Sequence, residues 1–164
     1  IQKPGQIYKC AEGGAMADRT EASIVIDAAP SEIMRVITDF EAYPEWAEIK
    51  AAEIKERDGD ERPTKVYFEV AAGPVNARYT LEYRYFAGDG GLEWSFIEGS
   101  GLKNLEGEYV LQPSGSSTNV TYRLAVDISI PGPGFLKRKL LAEGEKRIID
   151  TALKGLKARV EAAS

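Results

Sequence analysis

Tyrosine and tryptophan side chains at alternating positions are the residues of this sequence best suited to recognising another molecule. They fall on the apolar face of several segments that alternate between apolar and polar residues. This aromatic set comprises Phe68, Tyr79, Tyr83, Trp94, Phe96, Tyr109 and Tyr122. A buried phenol left without a hydrogen-bond partner costs roughly 1–3 kcal/mol. The four tyrosines therefore indicate either a packed core or a cavity that holds water or the polar edge of a ligand.

Residues for acid–base or nucleophilic catalysis are scarce. The chain has no histidine, which excludes His-based triads, His-ligated metals and the easiest general base near neutral pH. Its single cysteine, Cys10, can form neither an internal disulfide nor a thiolate metal cluster. Alternation places Arg78 and Arg84 on the outer face. Glu98 continues an apolar face, either as an inward carboxylate or, as the adjoining glycines favour, at a solvated strand end. We predict no metal and no cofactor.

Length and composition favour one ordinary globular domain. The chain has 164 residues, of which 43% are hydrophobic and 29% charged. A net charge of −5 argues against nucleic acid as the main partner. No apolar run approaches the roughly 20 residues of a membrane span. We expect a cytoplasmic domain over residues 16–164, with residues 1–15 a remnant of recombinant expression or a disordered extension.

Seven strands, two short helices and one long helix are predicted to position these residues. The predicted strands cover residues 20–27, 49–57, 64–71 and 75–86, two segments beginning near 92 and 105, and residues 119–130. Short Gly-rich turns between the last six predict an antiparallel meander. A short helix is predicted over 30–39, and a second short helix or a turn over 41–48. Trp46, in the second, either plugs one end of the sheet or joins Tyr43 at the rim of a ligand site.

The predicted long helix covers residues 134–160 and carries one broad apolar stripe. The stripe consists of Leu140, Gly144, Ile148, Ala152, Leu156 and Val160, with Leu141, Ile149 and Leu153 beside it. Such a helix must bury its stripe, and one concave sheet is the natural partner. The small residues Gly144 and Ala152 indicate either close packing on the sheet or space for a ligand.

The element order and three segments resemble the START-like superfamily. The segments are IDAAP at 26–30, DFEAYPEW at 39–46 and LEGEYVL at 105–111. This superfamily (SRPBCC, helix-grip or Bet v 1-like proteins) includes polyketide cyclases, coenzyme-Q-binding proteins, plant allergens and lipid-transfer START domains. The chain looks most like bacterial members described as polyketide cyclase/dehydrase or lipid-transport proteins.

The resemblance implies an α+β helix-grip fold, in which a curved seven-stranded antiparallel sheet surrounds the C-terminal helix. It also implies a hydrophobic cavity between them, for a lipid, a quinone or a polyketide-like compound. The aromatic set would then bind the ligand together with Phe135, Leu140, Gly144, Ile148 and Ala152 of the helix. Aromatase/cyclases of this superfamily are thought to use an inward arginine. In the strand that would supply it, this sequence offers Tyr79 and Tyr83 instead.

Three functional hypotheses follow, in different classes. The first is a non-enzymatic carrier or sensor of a hydrophobic ligand, the second a polyketide cyclase or dehydratase. The third is an interaction protein in which the cavity is incidental. The segment Phe135, Leu136, Lys137, Arg138 and Lys139 is either a site of transient contact with an anionic membrane or a turn with solvated lysines. The sequence leaves the oligomeric state open.

Overall fold

A curved antiparallel sheet and one long helix form the frame of the molecule. The structure is a computed structural model that describes residues 19–72, 75–128 and 133–163. The strands are β1 (Thr20–Ile26), β2 (Ala51–Arg57), β3 (Pro63–Ala72), β4 (Val75–Tyr85), β5 (Gly91–Ser100), β6 (Asn104–Ser114) and β7 (Ser117–Asp127). The helices are α1 (Pro30–Ile37), a 3₁₀ helix (Phe40–Glu45) and α2 (Gly134–Ala163). The predicted tail 1–15 lies outside the described residues.

The strand order confirms the predicted meander. It runs β1-β7-β6-β5-β4-β3-β2, with every neighbouring pair antiparallel. The first strand therefore pairs with the last, and β1 and β2 form the two edges of the sheet. β7 ends at Asp127, earlier than the predicted 130, and residues 129–132 lie outside the described ranges. This is the α+β helix-grip arrangement that the resemblance implied.

Two neighbouring strands in the middle of the sheet separate along part of their length. β5 and β6 pair only where Gly91–Trp94 meet Gly107–Val110. Beyond Trp94, β5 continues to pair with β4, and β6 continues to pair with β7. The sheet thus consists of two parts joined by a short ladder at one end of the β5–β6 hairpin.

The short helices follow from local sequence. Pro30 occupies the first turn of α1, and the Glu32 carboxylate accepts a hydrogen bond from the backbone N–H of Ala29 at 3.1 Å. At the other end, the Thr38 hydroxyl donates to the carbonyl of Met34 at 2.8 Å. The 3₁₀ helix then places Phe40, which is fully buried, beneath the concave face of the sheet.

The long helix is anchored on the sheet by its C-terminal half. Its buried residues are Glu145, Ile149, Leu153, Leu156 and Val160. The predicted stripe is only partly correct, because Leu140, Gly144 and Ile148 are exposed. They lie at the mouth of a cavity, and none of the described residues covers them. No helix in the described part of the chain is long and apolar enough to cross a membrane.

Candidate functional site

A cavity of about 440 Å³ lies between the sheet, the N-terminal half of α2 and the segment that follows the 3₁₀ helix. Its size is typical of small-molecule sites, which span roughly 300–1,000 Å³. Ten of the twelve predicted ligand-binding residues line it: Phe68, Tyr79, Tyr83, Trp94, Tyr109, Tyr122, Leu140, Gly144, Ile148 and Ala152. The remaining two do not, since Phe96 packs against the core and Phe135 is 70% exposed.

Four aromatic rings from four strands form the floor of the cavity. Trp94 lies with its ring centroid 5.6 Å from that of Tyr109 and 5.5 Å from that of Tyr122. The Tyr109 and Tyr122 centroids are 4.6 Å apart, and Tyr83 completes the group at 5.9 Å from Trp94. Such tilted and edge-on contacts stabilise aromatic pairs beyond the burial of their area. The floor is therefore a continuous aromatic surface.

Strand register determines where these rings lie. Tyr109 is opposite Tyr122 across the β6–β7 ladder, and Trp94 is opposite Tyr83 across β4–β5. On its other side Trp94 is opposite Gly107. A Cβ atom at Gly107 would lie 2.7 Å from Cζ2 of the indole, closer than two carbons approach. Glycine at this position therefore leaves the room that the indole occupies.

The hydroxyls of Tyr79, Tyr83, Tyr109 and Tyr122 have no protein partner among the described residues. All four side chains are at least nine-tenths buried and line the cavity. By contrast, the Tyr43 hydroxyl donates to the carbonyl of Ile37. Burial raises the pKa of all five phenols well above the usual value of 10. At neutral pH the cavity therefore offers protonated hydroxyls that can donate to an occupant.

The 3₁₀ helix and the residues after it supply the upper wall. Tyr43 and Trp46 both line the cavity, and their ring centroids are 4.9 Å apart. Trp46 also packs against α2, because a Cβ atom at Gly155 would come within 2.9 Å of the Trp46 carbonyl oxygen. Trp46 thus lies between the cavity and α2, and its contact with a ligand stays a prediction.

Three described charged residues line the cavity, and the pattern of the sequence pointed to none of them. Glu48 and Arg147 face each other across its mouth with 4.0 Å between their charged atoms. Glu145 is 5% exposed and accepts hydrogen bonds from the Thr20 hydroxyl at 2.6 Å and the Val126 N–H at 2.7 Å. Glu145 lies four residues before buried Ile149, so the two side chains are on the same side of the helix. This spacing is the signal in the sequence that could have identified Glu145 as a buried residue.

The other charged residues that the sequence offered for the site are exposed. Arg78 and Arg84 are exposed on the outer face, and Arg84 pairs with Glu93 at 2.8 Å. Glu98 is exposed too, because the β4–β5 register shifts by one residue beside it. Phe96 is opposite Leu81, but Glu98 is opposite Thr80, so the bulge interrupts the alternation that placed Glu98 inward. The solvated reading of Glu98 is the one that the structure supports.

Comparison with solved structures relates this architecture to known proteins. A START superfamily protein from Mycobacterium smegmatis is 27% identical with a TM-score of 0.77, covering 89% of this chain and 99% of that one. A protein from Thermus thermophilus is 28% identical with a TM-score of 0.76, also covering 89% of this chain and 99% of that one. The Zhui aromatase/cyclase from Streptomyces sp. R1128 shares the fold at 13% identity and a TM-score of 0.71, covering 87% of this chain and 93% of that one.

Sequence comparison gives the family. No curated protein matches the chain. The sequence model of the family described as polyketide cyclase/dehydrase and lipid transport matches residues 17–161, nearly the whole length. The START superfamily protein from Mycobacterium smegmatis shares the curved sheet and long helix found here. The chain belongs to the polyketide cyclase/dehydrase and lipid transport family of START-like proteins.

Proposed function

We propose that the protein binds a hydrophobic small molecule with acceptor oxygens in this cavity, as a non-catalytic carrier or sensor. One observation carries the proposal: the side chains of four tyrosines are at least nine-tenths buried along the cavity, and their hydroxyls have no partner among the described residues. An apolar ligand with carbonyl or similar oxygens would satisfy them, whereas a pure hydrocarbon would leave them unpaired at a cost. Lipids, quinones and polyketide-like compounds supply such oxygens.

The state of the ionisable groups favours binding over catalysis. Phenols with a raised pKa remain protonated near pH 7, so they donate hydrogen bonds but do not act as bases. Both carboxylate oxygens of Glu145 already accept hydrogen bonds from the protein. A cyclase or dehydratase would have to break these contacts to use that group. The aromatase/cyclase among the structural neighbours shares the fold, and fold alone does not transfer its activity.

A carrier of this kind would collect its ligand at a membrane, because molecules of this class partition into bilayers. The predicted contact segment, residues 135–139, lies in the first turns of α2. It is followed on the same helix by Leu140 and Ile148 at the mouth of the cavity. That position supports transient membrane contact as part of the proposed function. The cytoplasm, whose membrane leaflet is rich in anionic lipids, is the location we propose for this exchange.

Native mass spectrometry tests the ligand directly. The purified chain is expected to carry a compound of a few hundred daltons that a solvent extract also contains. Replacing Ala152→Phe fills part of the cavity and should lower ligand occupancy at least tenfold while circular dichroism stays unchanged. Ala158→Phe is the matched control, because Ala158 is exposed on the same helix and should leave occupancy unchanged.

Two results would contradict the proposal. Wild-type protein that carries no compound, and that takes up no fatty acid, isoprenoid quinone or aromatic polyketone, would overturn the proposal. Equal occupancy in the Ala152→Phe and Ala158→Phe proteins would place any bound compound outside the cavity. That outcome would favour the interaction-protein hypothesis, in which the cavity is incidental.

A further inference from the structure

Exposed apolar side chains concentrate on the N-terminal half of α2. Among the described residues, six large hydrophobic side chains are exposed, and four of them lie within this half: Phe135, Leu136, Leu140 and Ile148. Phe135 is 70% exposed, the most of the six. Single exposed apolar residues are ordinary, but a concentration on one element marks an interaction surface.

The same stretch carries a positive charge that the rest of the chain lacks. Residues 134–148 contain five basic and two acidic residues, which leaves 16 basic and 24 acidic residues elsewhere. Lys137 pairs with Asp127 at 3.0 Å, and buried Glu145 is already hydrogen-bonded. Arg138 and Lys139 are exposed and have no ion-pair partner among the described residues. Two free cations therefore stand beside the exposed apolar side chains.

This surface adjoins the opening of the cavity. Leu140, Arg147 and Ile148 line the cavity and are exposed at its mouth. Phe135 and Leu136 begin the same helix one to two turns earlier. Leu136, Leu140 and Ile148 are separated by four and eight residues and therefore share one side of the helix, so a flat partner that covers this side would also face the mouth.

We propose that Phe135, Leu136, Arg138, Lys139 and Leu140, which surround the N-terminal end of α2, form a docking surface for an anionic lipid bilayer that meets this end of the helix. The apolar side chains would enter the boundary between headgroups and acyl chains, while the two cations contact lipid phosphates. A second copy of the chain is a poor occupant, since a symmetric contact would bring the same cations together. This docking deepens the membrane contact of the proposed function and rests on it, but it does not require an occupied cavity, so a failure of docking can be distinguished from a failure of ligand binding.

Vesicle co-sedimentation of the full chain tests the proposal. Binding is expected to vesicles of phosphatidylcholine with 30% phosphatidylglycerol, to be several-fold weaker with phosphatidylcholine alone, and to fall as salt rises. Each basic residue near an anionic surface strengthens binding roughly fivefold. Arg138→Glu with Lys139→Glu should therefore reduce binding more than tenfold. Phe135→Ser with Leu136→Ser should also reduce it, and more so at high salt.

A matched charge reversal elsewhere is the control. Arg35→Glu with Lys154→Glu makes the same change in net charge at two exposed residues outside the docking surface, and should keep binding within twofold. Equal losses in the two double-reversal proteins, equal binding to both vesicle types, or no binding at all would overturn the proposal. So would a dimer in solution that Phe135→Ser with Leu136→Ser dissociates. The Ala152→Phe protein should bind vesicles normally, which separates docking from cavity occupancy.

Discussion

A tyrosine hydroxyl enclosed by apolar side chains gives up its proton only at high pH, because the phenolate is poorly solvated there. Burial raises the pKa of Tyr79, Tyr83, Tyr109 and Tyr122 well above 10. The half-buried Tyr85 has its pKa raised to about 12 by the same cause. The cavity therefore presents hydrogen-bond donors over the whole physiological pH range, and its preference for acceptor oxygens should not depend on pH there.

These raised pKa values predict how the stability of the fold depends on pH. Unfolded tyrosines ionise near pH 10, so the stabilisation from the protonated phenols is complete below that pH. It should be lost as the pH rises above 10 and through the raised folded values. We expect the urea midpoint to be constant from pH 8 to 9.5 and to fall steeply above 10, with most tyrosine absorbance at 295 nm appearing only on unfolding. Tyr109→Phe with Tyr122→Phe should shrink that late absorbance step. A smooth titration of all tyrosines near pH 10 would contradict these expectations.

At the residue scale, the sequence could predict the cavity aromatics but not the charges around them. Alternation is reliable where the ladder is regular, as for Tyr79 on β4, which is opposite Phe68 on β3. It failed at Glu98, because the bulge that displaces this residue has no signal in the alternation itself. Glu145 was missed because a carboxylate on a helix normally faces solvent. Its two hydrogen-bond donors come from β1 and β7, far away in sequence.

At the scale of the element, α2 divides into two halves with different tasks. The C-terminal half buries Ile149, Leu153, Leu156 and Val160 and holds the helix on the sheet. The N-terminal half borders the cavity mouth, and Glu145 is its buried attachment to the strands. The second half therefore contributes most of the burial that stabilises the fold, while the first half carries the surface that we propose for recognition.

Two glycines in this helix predict opposite effects of the same substitution. A Cβ atom at Gly144 would meet nothing within 4 Å, so Gly144→Ala should raise the free energy of unfolding by about 1 kcal/mol through helix propensity. A Cβ atom at Gly155 would come within 2.9 Å of the Trp46 carbonyl oxygen. Gly155→Ala should therefore lower that free energy by about 1–3 kcal/mol. Urea denaturation of the two variants measures both, and effects of the same sign would refute this description of the helix.

The helix itself was predictable from its period, but the exposure of its first half was not. The 3.6-residue pattern places Leu140 and Ile148 on the stripe with Leu156 and Val160. It contains no information on where the sheet ends beneath the helix. The sheet must curve to surround α2, and the resulting gap leaves the first two of these residues uncovered. In the sequence, the small residues Gly144 and Ala152 were the signal that indicated this gap.

At the scale of the whole molecule, the cavity should link stability to occupancy. A ligand that binds only the folded chain stabilises it by roughly 2.7 kcal/mol when present at about 100 times its Kd. The aromatic floor, in contact with the core cluster, would transmit this to the sheet as a whole.

Removing the ligand should therefore lower the Tm. Protein refolded after solvent extraction is expected to melt roughly 5–10 °C below protein that keeps its co-purified compound, as expected for a domain of this size. Adding back the extract should restore the original Tm. The Ala152→Phe protein, with its cavity partly filled, should show no such difference before and after extraction. Identical melting of extracted and untreated wild-type protein would argue that nothing of consequence occupies the cavity.

The overall fold was the most predictable level, because the order of elements limits the topology. Because the turns between the last six strands are short, a meander is the simplest way to connect these strands. One amphipathic helix then needs one concave sheet to cover its apolar side. The cavity could be expected only through the resemblance. A solid core that buries every inward side chain would produce the same alternation. The pattern therefore carries no information on whether a cavity is present.

The partial separation of β5 from β6 has a consequence for the range of molecules that one chain can accept. The two parts of the sheet pair with each other only along Gly91–Trp94 and Gly107–Val110. Moving them apart at the other end of the β5–β6 hairpin would therefore break no ladder hydrogen bonds between β5 and β6. Leu102 and Leu105 line the cavity beside that opening. We expect a bulkier ligand to be accommodated by separation of the two parts of the sheet at this end, while the paired residues stay in place. The hydroxyls of the aromatic floor would then contribute more to ligand selectivity than the volume of the cavity.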